Sequence, residues 1–357
     1  MKWLLENVEG LSSNPKVILG TIDTYLIARL TNMTRLVTDS TNASRTMLMD
    51  IHTLEWSDKM LGEYGIQREQ LPTIIKESSA EFGVISSEKV PGLNGVPISG
   101  VLGDQQAACL GHILREGEVK NTYGTGCFLL QNVGSKPVQS QNGLLTTMCY
   151  KIGDNTQYAL EGAVEIAGAA IQWSQSVGFI GSPKELEALA QTVDDCGDVY
   201  FVPAFQGIFS PYWRDDARGL WIGFGSNTQK GHLVRSMLEA PCLRTCEVCE
   251  AMSKDSGKRV TKMSVDGGMT ANNFMMQIQA DFMDAEIMKK EEQEITGAGA
   301  AIAAGLHVGF WGSLEEVENK IKIKQTFTPK MDAAAREKKL KRWAQAVQRS
   351  IGFGWEN

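Results

Sequence analysis

Apolar positions along the chain follow two rhythms, one of period two and one near 3.6, and the elements they predict alternate. Residues 97–102 (PISGVL) have strand character and stop at Gly103-Asp104, after which Gln105–His112 reads as a helix. Residues 199–205 (VYFVPAF) predict a second strand, and 262–266 (KMSVD) a third that runs into Gly267-Gly268. The helix that follows carries Phe274, Ile278 and Phe282 on one stripe. A helix rich in Gly and Ala is predicted over residues 162–174, and a longer one over His232–Lys254, kinked at Pro241. After Gly312 a charged connector leads to a terminal helix over Asp332–Arg349. Strands and helices in this order predict α/β layers. A break near residues 112–118 divides the chain into 1–111, 119–311 and a tail, 312–357.

Length and composition narrow the class. At 357 residues two domains are expected, and 43% hydrophobic with 22% charged residues is ordinary for a soluble α/β protein. A net charge of −7 excludes a general nucleic-acid surface, and the basic run Arg336–Arg342 reads as the solvated face of a helix. No apolar run is long enough to span a membrane, and the start is no signal peptide. MKWLLENVEG reads as an amphipathic helix that begins without a cap, which predicts missing sequence upstream. Seven cysteines without an export signal fit reduced thiols in a cytoplasmic protein, so the sequons at Asn32 and Asn42 are chance matches.

Three constellations could carry chemistry. In GDQQAA (103–108) a carboxylate, Asp104, directly follows a strand, where ligands of open α/β sheets bind; a plain helix cap is the alternative. NTYGTGCF (121–128) brackets one hydroxyl, Thr125, with Gly124 and Gly126, which reads as a tight hairpin turn or a phosphate cradle. Gly168 with Gln172 and Asp266-Gly267-Gly268 leading to Asn272 supply two further turns, and three such turns in one α/β domain favour nucleotide binding. CLRTCEVC (242–249) has a C-x3-C-x2-C spacing, but offsets of four and three put all three thiols on one face of a helix, so buried apolar cysteines are expected rather than a cluster. Gly297-Ala-Gly299 follows EEQEIT, which is no strand, and predicts a closely packed helix instead of a dinucleotide fingerprint. The four histidines show no metal-ligand spacing.

With GDQQAA, NTYGTGCF, LEGAVEIAGAAIQW, YFVPAF, PYW, ARG and VDGGMTANNFMMQIQAD in order, the chain resembles the FGGY family of carbohydrate kinases over essentially all its length. GTIDTYLIARLT, TNASRTML and KRWAQAVQRS extend the match, as does Gly219–Gly223 followed by His232–Glu239. The resemblance implies an actin-like (ribonuclease H-like) ATPase fold of two lobes with the site in the cleft, the N-terminal lobe incomplete. It implies ATP- and Mg²⁺-dependent phosphorylation of glycerol to sn-glycerol 3-phosphate, with no nucleic-acid partner and with a homo-oligomer admitted. Asp104 corresponds to the catalytic base, Gln105 contacts glycerol hydroxyls, and Phe128 packs on the glycerol carbons. Gly124, Thr125 and Gly126 lie on the phosphates, and Gly168, Gln172, Gly268 and Asn272 line the nucleotide site.

Departures accompany the match. The family's own N-terminal phosphate loop and Arg-Glu pair do not appear before Met1. Thr296-Gly297-Ala298-Gly299 stands where the family has Thr-Ala-Leu-Gly, Gln206–Ser210 replaces Ser-Gly-Leu-Tyr-Ala, and Phe224 and Pro241 are unusual. Another FGGY sugar kinase and a non-catalytic nucleotide-binding remnant are the alternative readings. The expectation for the bare chain is weak nucleotide binding without turnover, and apolar surface exposed on residues 1–111.

Overall fold

The computed structural model describes residues 1–11, 14 and 16–354. Its centre is a seven-stranded mixed sheet with strands in the order Ile323–Phe327, Glu286–Lys290, Lys262–Asp266, Val119–Tyr123, Cys127–Gly134, Asn155–Val164 and Leu145–Ile152. Lys262–Asp266 runs parallel to both of its neighbours, and the remaining pairs are antiparallel. Both faces are covered. Leu129 and Leu160 pack with Val248 of the 27-residue helix Lys230–Ser256, while the adjacent Leu130 and Ala159 pack with Cys109 and Leu110 of the helix Asp104–His112. Successive strand residues point to opposite faces, so a sheet covered twice buries nearly every position and blurs the period-two signal.

Residues 1–111 are built differently. They contain three two-stranded sheets, Val37–Asp39 with Thr73–Ile75, Met49–Asp50 with Glu55–Trp56, and Ser79–Val84 with Pro97–Gly100. The last helix of this part, Asp104–His112, lies between the large sheet and the helix Ile295–His307. That packing is close because glycines face it. A Cβ on Gly299 would sit 1.8 Å from the Ala107 carbonyl oxygen, and one on Gly111 would sit 2.2 Å from that of Ile295. The close-packed reading of this helix therefore holds at Gly299, while Gly297 faces open space.

Several boundaries move. Residues 162–164, expected to open a helix, end the strand Asn155–Val164, and the helix spans Gly168–Ser176. Gly162 sits under Val248, whose side chain a Cβ would meet at 2.4 Å. The segment after Gly312, expected as a connector, contains the helix Leu314–Glu318 and the edge strand Ile323–Phe327. The final helix, Ala333–Ser350, is capped by Asp332 and buries Trp343, Ala346 and Val347 in the main core. Lys230–Ser256 continues through Pro241 as one helix, and Cys242, Cys246 and Cys249 are free and buried along it. Glu286–Lys290, absent from the expected elements, is a strand immediately before EEQE.

Candidate functional site

The glycine turns converge on one hairpin. Tyr123 pairs with Cys127 across the turn, and the Gly124 N–H donates to the Gly126 carbonyl at 2.8 Å. Gly126 passes so close to Val164 that a Cβ would lie 2.4 Å from its carbonyl oxygen. The start of the helix Gly168–Ser176 docks on this turn: Ala167 and Ala169 N–H donate to the Thr125 carbonyl at 2.9 and 3.0 Å, and Gly168 N–H to that of Gly124 at 3.0 Å. From the other side comes Gly267, at φ +90°, where a Cβ would meet the Tyr123 carbonyl oxygen at 2.4 Å. Side chains are excluded at each contact, which is why glycine stands there. The Thr125 side chain is left exposed at the tip.

The helix-start amides of 167–169 are thus spent on the hairpin, so they fix its shape and are not free donors for phosphate. Gly268 opens a short 3-10 turn and lines a cavity of about 580 Å³ together with Thr122, Asp266, Thr270, Asn273 and Lys289. Asn272 is the cap of the helix Asn273–Met283, its Oδ1 accepting the Met275 N–H at 2.8 Å. Gln172 is exposed one turn into its helix, and neither it nor Gly168 or Asn272 lines that cavity.

Asp104 is the first residue of its helix and Gly103 the cap. The carboxylate is exposed, accepts the Gln105 N–H at 2.7 Å, and takes part in no ion pair among the described residues. The Gly103 N–H donates to Thr41 Oγ1 at 2.9 Å, and Thr41 Oγ1 donates to Asp39 Oδ2 at 2.7 Å. Burial pushes the Asp39 carboxyl up to about 6, against hydrogen bonds from Asn42 and Thr41 that hold it down. Gln105 is joined to the large sheet through Lys120, whose Nζ donates to Gln105 Oε1 and, at 3.0 Å, to Thr122 Oγ1. Phe128, opposite Thr122 in the ladder, keeps 41% of its surface exposed.

Four buried ionisable groups in this corner were not among the predicted site residues. Lys120 is fully buried, and burial lowers its pKa while charges including Asp266, Glu161 and Asp104 oppose the shift. Glu161 pairs with Arg45 at 2.7 Å. His112 Nε2 lies 2.7 Å from Asp266 Oδ2, and burial drives the imidazole down to about 4, so the neutral ring donates to the carboxylate. For Asp266 the upward push of burial is outweighed, chiefly by the His112 hydrogen bond, and its carboxyl lies below the usual range. For Lys120 the faint signal was a Lys and an Asn inside the strand leading to the turn.

Comparison with known proteins fits this arrangement. The N-terminal domain model of the FGGY family of carbohydrate kinases matches residues 1–111, and the C-terminal domain model matches 119–308. The chain belongs to the FGGY family of carbohydrate kinases. It is 48% identical to a glycerol kinase of Chloroflexus aurantiacus, over 99% of this chain and 72% of that protein. Glycerol kinase 2 of Streptomyces coelicolor is 47% identical over 99% of this chain and 70% of its own length. The crystal structure of Plasmodium falciparum glycerol kinase with ADP superposes with a TM-score of 0.92 at 40% identity, covering 98% of this chain and 70% of that one. A ligand-bound xylulose kinase from Lactobacillus acidophilus, at 23% identity and a TM-score of 0.87, shares the fold. This FGGY kinase is therefore α/β in fold, and it spans about 70% of the relatives' length.

Proposed function

We propose that this chain handles the acceptor and the nucleotide in a glycerol kinase, in which the terminal phosphoryl group of ATP passes to a glycerol hydroxyl and sn-glycerol 3-phosphate forms. One observation carries the reading. The side chain of Gln105, next in the chain after the exposed Asp104, is tied through Lys120 to the strand that enters the Gly124–Gly126 turn, so acceptor and phosphate positions are neighbours. Identity of 48% to a glycerol kinase over nearly the whole chain supports the choice of acceptor.

An alcohol is a weak nucleophile near neutral pH, so a carboxylate within hydrogen-bond reach takes its proton as the new bond to phosphorus forms. Asp104 is that base: it is exposed, at a helix start, and unpaired by any cation among the described residues. Gln105 binds the other hydroxyls, and the half-exposed ring of Phe128 covers the carbon chain. Gly124, Thr125 and Gly126 face the phosphates, the Thr125 hydroxyl being the free donor at the tip. Gly168, Gln172, Gly268 and Asn272 border the nucleoside. Mg²⁺ supplies charge neutralisation on the phosphates when it enters with ATP, a role in which phosphate oxygens and water are its main ligands. Among the described residues no three His, Cys, Asp or Glu are grouped so as to hold a metal. No helix is long and apolar enough to cross a membrane, and the seven free thiols suit the cytoplasm.

The test is a coupled assay with ATP, Mg²⁺ and a panel of glycerol, xylulose and gluconate. It is run on the 357-residue chain alone, and on the chain joined to the part of the Chloroflexus protein that it does not span. The expected result is ADP binding by the chain alone and glycerol-preferring turnover in the joined form. Preference for another acceptor, or no turnover in either form, overturns the reading.

A further inference from the structure

Lys120 is a fully buried cation inside a strand of the large sheet. An ammonium with no exposed surface must find several partners, because removing it from water without them is prohibitive. Its two close partners are neutral oxygens, Gln105 Oε1 and Thr122 Oγ1, the latter at 3.0 Å. No carboxylate lies within ion-pair distance of it among the described residues; Asp266, Glu161 and Asp104 act on it from farther away. A hydrophobic residue of similar volume would fill this strand position more cheaply. The charge is therefore kept for what it does to its neighbours.

An ammonium can only donate hydrogen bonds, and a primary amide has one oxygen that accepts and one nitrogen that donates. Lys120 beneath Gln105 thus fixes which way the amide is turned. Oε1 faces the buried ammonium, so the Nε2–H₂ end of the same amide is turned away from it. An amide without this anchor could flip and present its oxygen on the side turned away. Thr122, held by the same Nζ, is one residue before Tyr123 and two before the Gly124 turn, so one cation registers the acceptor's donor against the phosphate turn.

We propose that Lys120 is a positioning residue that sets the orientation of the Gln105 amide, so that Gln105 donates to acceptor hydroxyl oxygens, and that it thereby governs acceptor affinity. This rests on the glycerol reading above.

The test is made in the form that phosphorylates glycerol in the preceding assay. Lys120→Met, which removes the donor and keeps an unbranched chain, raises the KM for glycerol about tenfold while the KM for ATP stays within about twofold. In a Gln105→Ala background the same substitution adds little to the glycerol KM, since the residue it orients is gone. Full additivity in that background, an equal rise in both KM values, or no rise at all overturns the proposal. If Lys120→Met does not fold, as judged by its thermal melt, Lys120→Gln decides. It retains an N–H donor, so the proposal requires a glycerol KM within about threefold of wild type, and a tenfold rise overturns it. Failure of the unmutated protein to phosphorylate glycerol is a separate outcome that removes the glycerol reading and the proposal with it.

Discussion

Residues 1–111 and the region from 119 onward meet at the site but hold their shape in different ways. The second region is built around a seven-stranded sheet covered on both faces by helices, with one further two-stranded pair, Tyr200–Val202 with Leu220–Ile222. The first has only three separate two-stranded sheets; both regions leave some large apolar side chains in water, among them Trp3 at 67% and Ile22 at 69% in the first and Phe310 at 70% in the second. Such two-stranded pieces are marginal by themselves. The start of the helix Asp104–His112 is nevertheless well fixed, because that helix is gripped by the second region on two sides and Gln105 is anchored to it through Lys120. The second region thus also supplies much of the rigidity of the corner that holds Asp104 and Gln105.

The largest expected effect tests the division of labour. Asp104→Asn, in the form that turns over glycerol, should lower kcat by about 10²–10⁴ with ADP affinity unchanged. Loss of nucleotide binding in that variant would mean that the two sides are not separable. A smaller effect should follow from forcing the two regions apart. Gly299→Val puts a side chain where the first added carbon would stand 1.8 Å from the Ala107 carbonyl oxygen, so thermal or urea unfolding should show a loss of about 3 kcal/mol. A variant as stable as wild type would show that this contact does not join the regions.

The burial of His112 should be visible in the pH dependence of stability, because burial lowers its pKa against the opposing pull of Asp266. The folded pKa of His112, about 4, is below its ordinary 6.5, so as pH falls through this window the unfolded chain takes up the proton first. Stability therefore falls between pH 6.5 and 4, by up to about 3 kcal/mol from this group. Asp39 works in the opposite sense below about 6, since its raised pKa lets the folded form bind the proton first. The slope attributable to His112 is isolated by comparing wild type with His112→Gln in urea titrations at several pH values. Equal slopes would remove the buried neutral imidazole from the account. The smallest effect is expected wholly inside the second region: Cys246→Ala should cost about 1 kcal/mol, and elemental analysis of the purified protein should find no stoichiometric iron or zinc. Stoichiometric iron would overturn the helical, apolar reading of the three thiols.

Much of this was legible locally. The Lys262–Asp266 strand, its glycine turn and the helix behind it are readable because strand, turn and stripe are each set by neighbours in sequence. Cysteine offsets of four and three likewise name one helix face without any tertiary information. The expectations at Asp104 and the Gly124–Gly126 turn rest on the same kind of local signal, a carboxylate after a strand and glycines around a hydroxyl.

Pairing between distant segments was not legible in this way. Ile323–Phe327 reads as a charged connector because four of its five residues are exposed, and only its ladder with Glu286–Lys290 makes it a strand. Residues 162–164 look helical in composition, yet the Cys127–Gly134 strand claims them. Lys120 is the sharpest case. Its sequence context contains nothing that buries a lysine, and what makes it part of the site is an amide 15 positions earlier, brought over it by a helix. Short-range periodicity and turn chemistry are written in the order of residues, and these determined the elements and the candidate chemistry. Burial and hydrogen-bond partnership depend on which surfaces meet in space, so only the tertiary structure decided that a buried cation, Lys120, holds Gln105 to the strand that enters the Gly124–Gly126 turn.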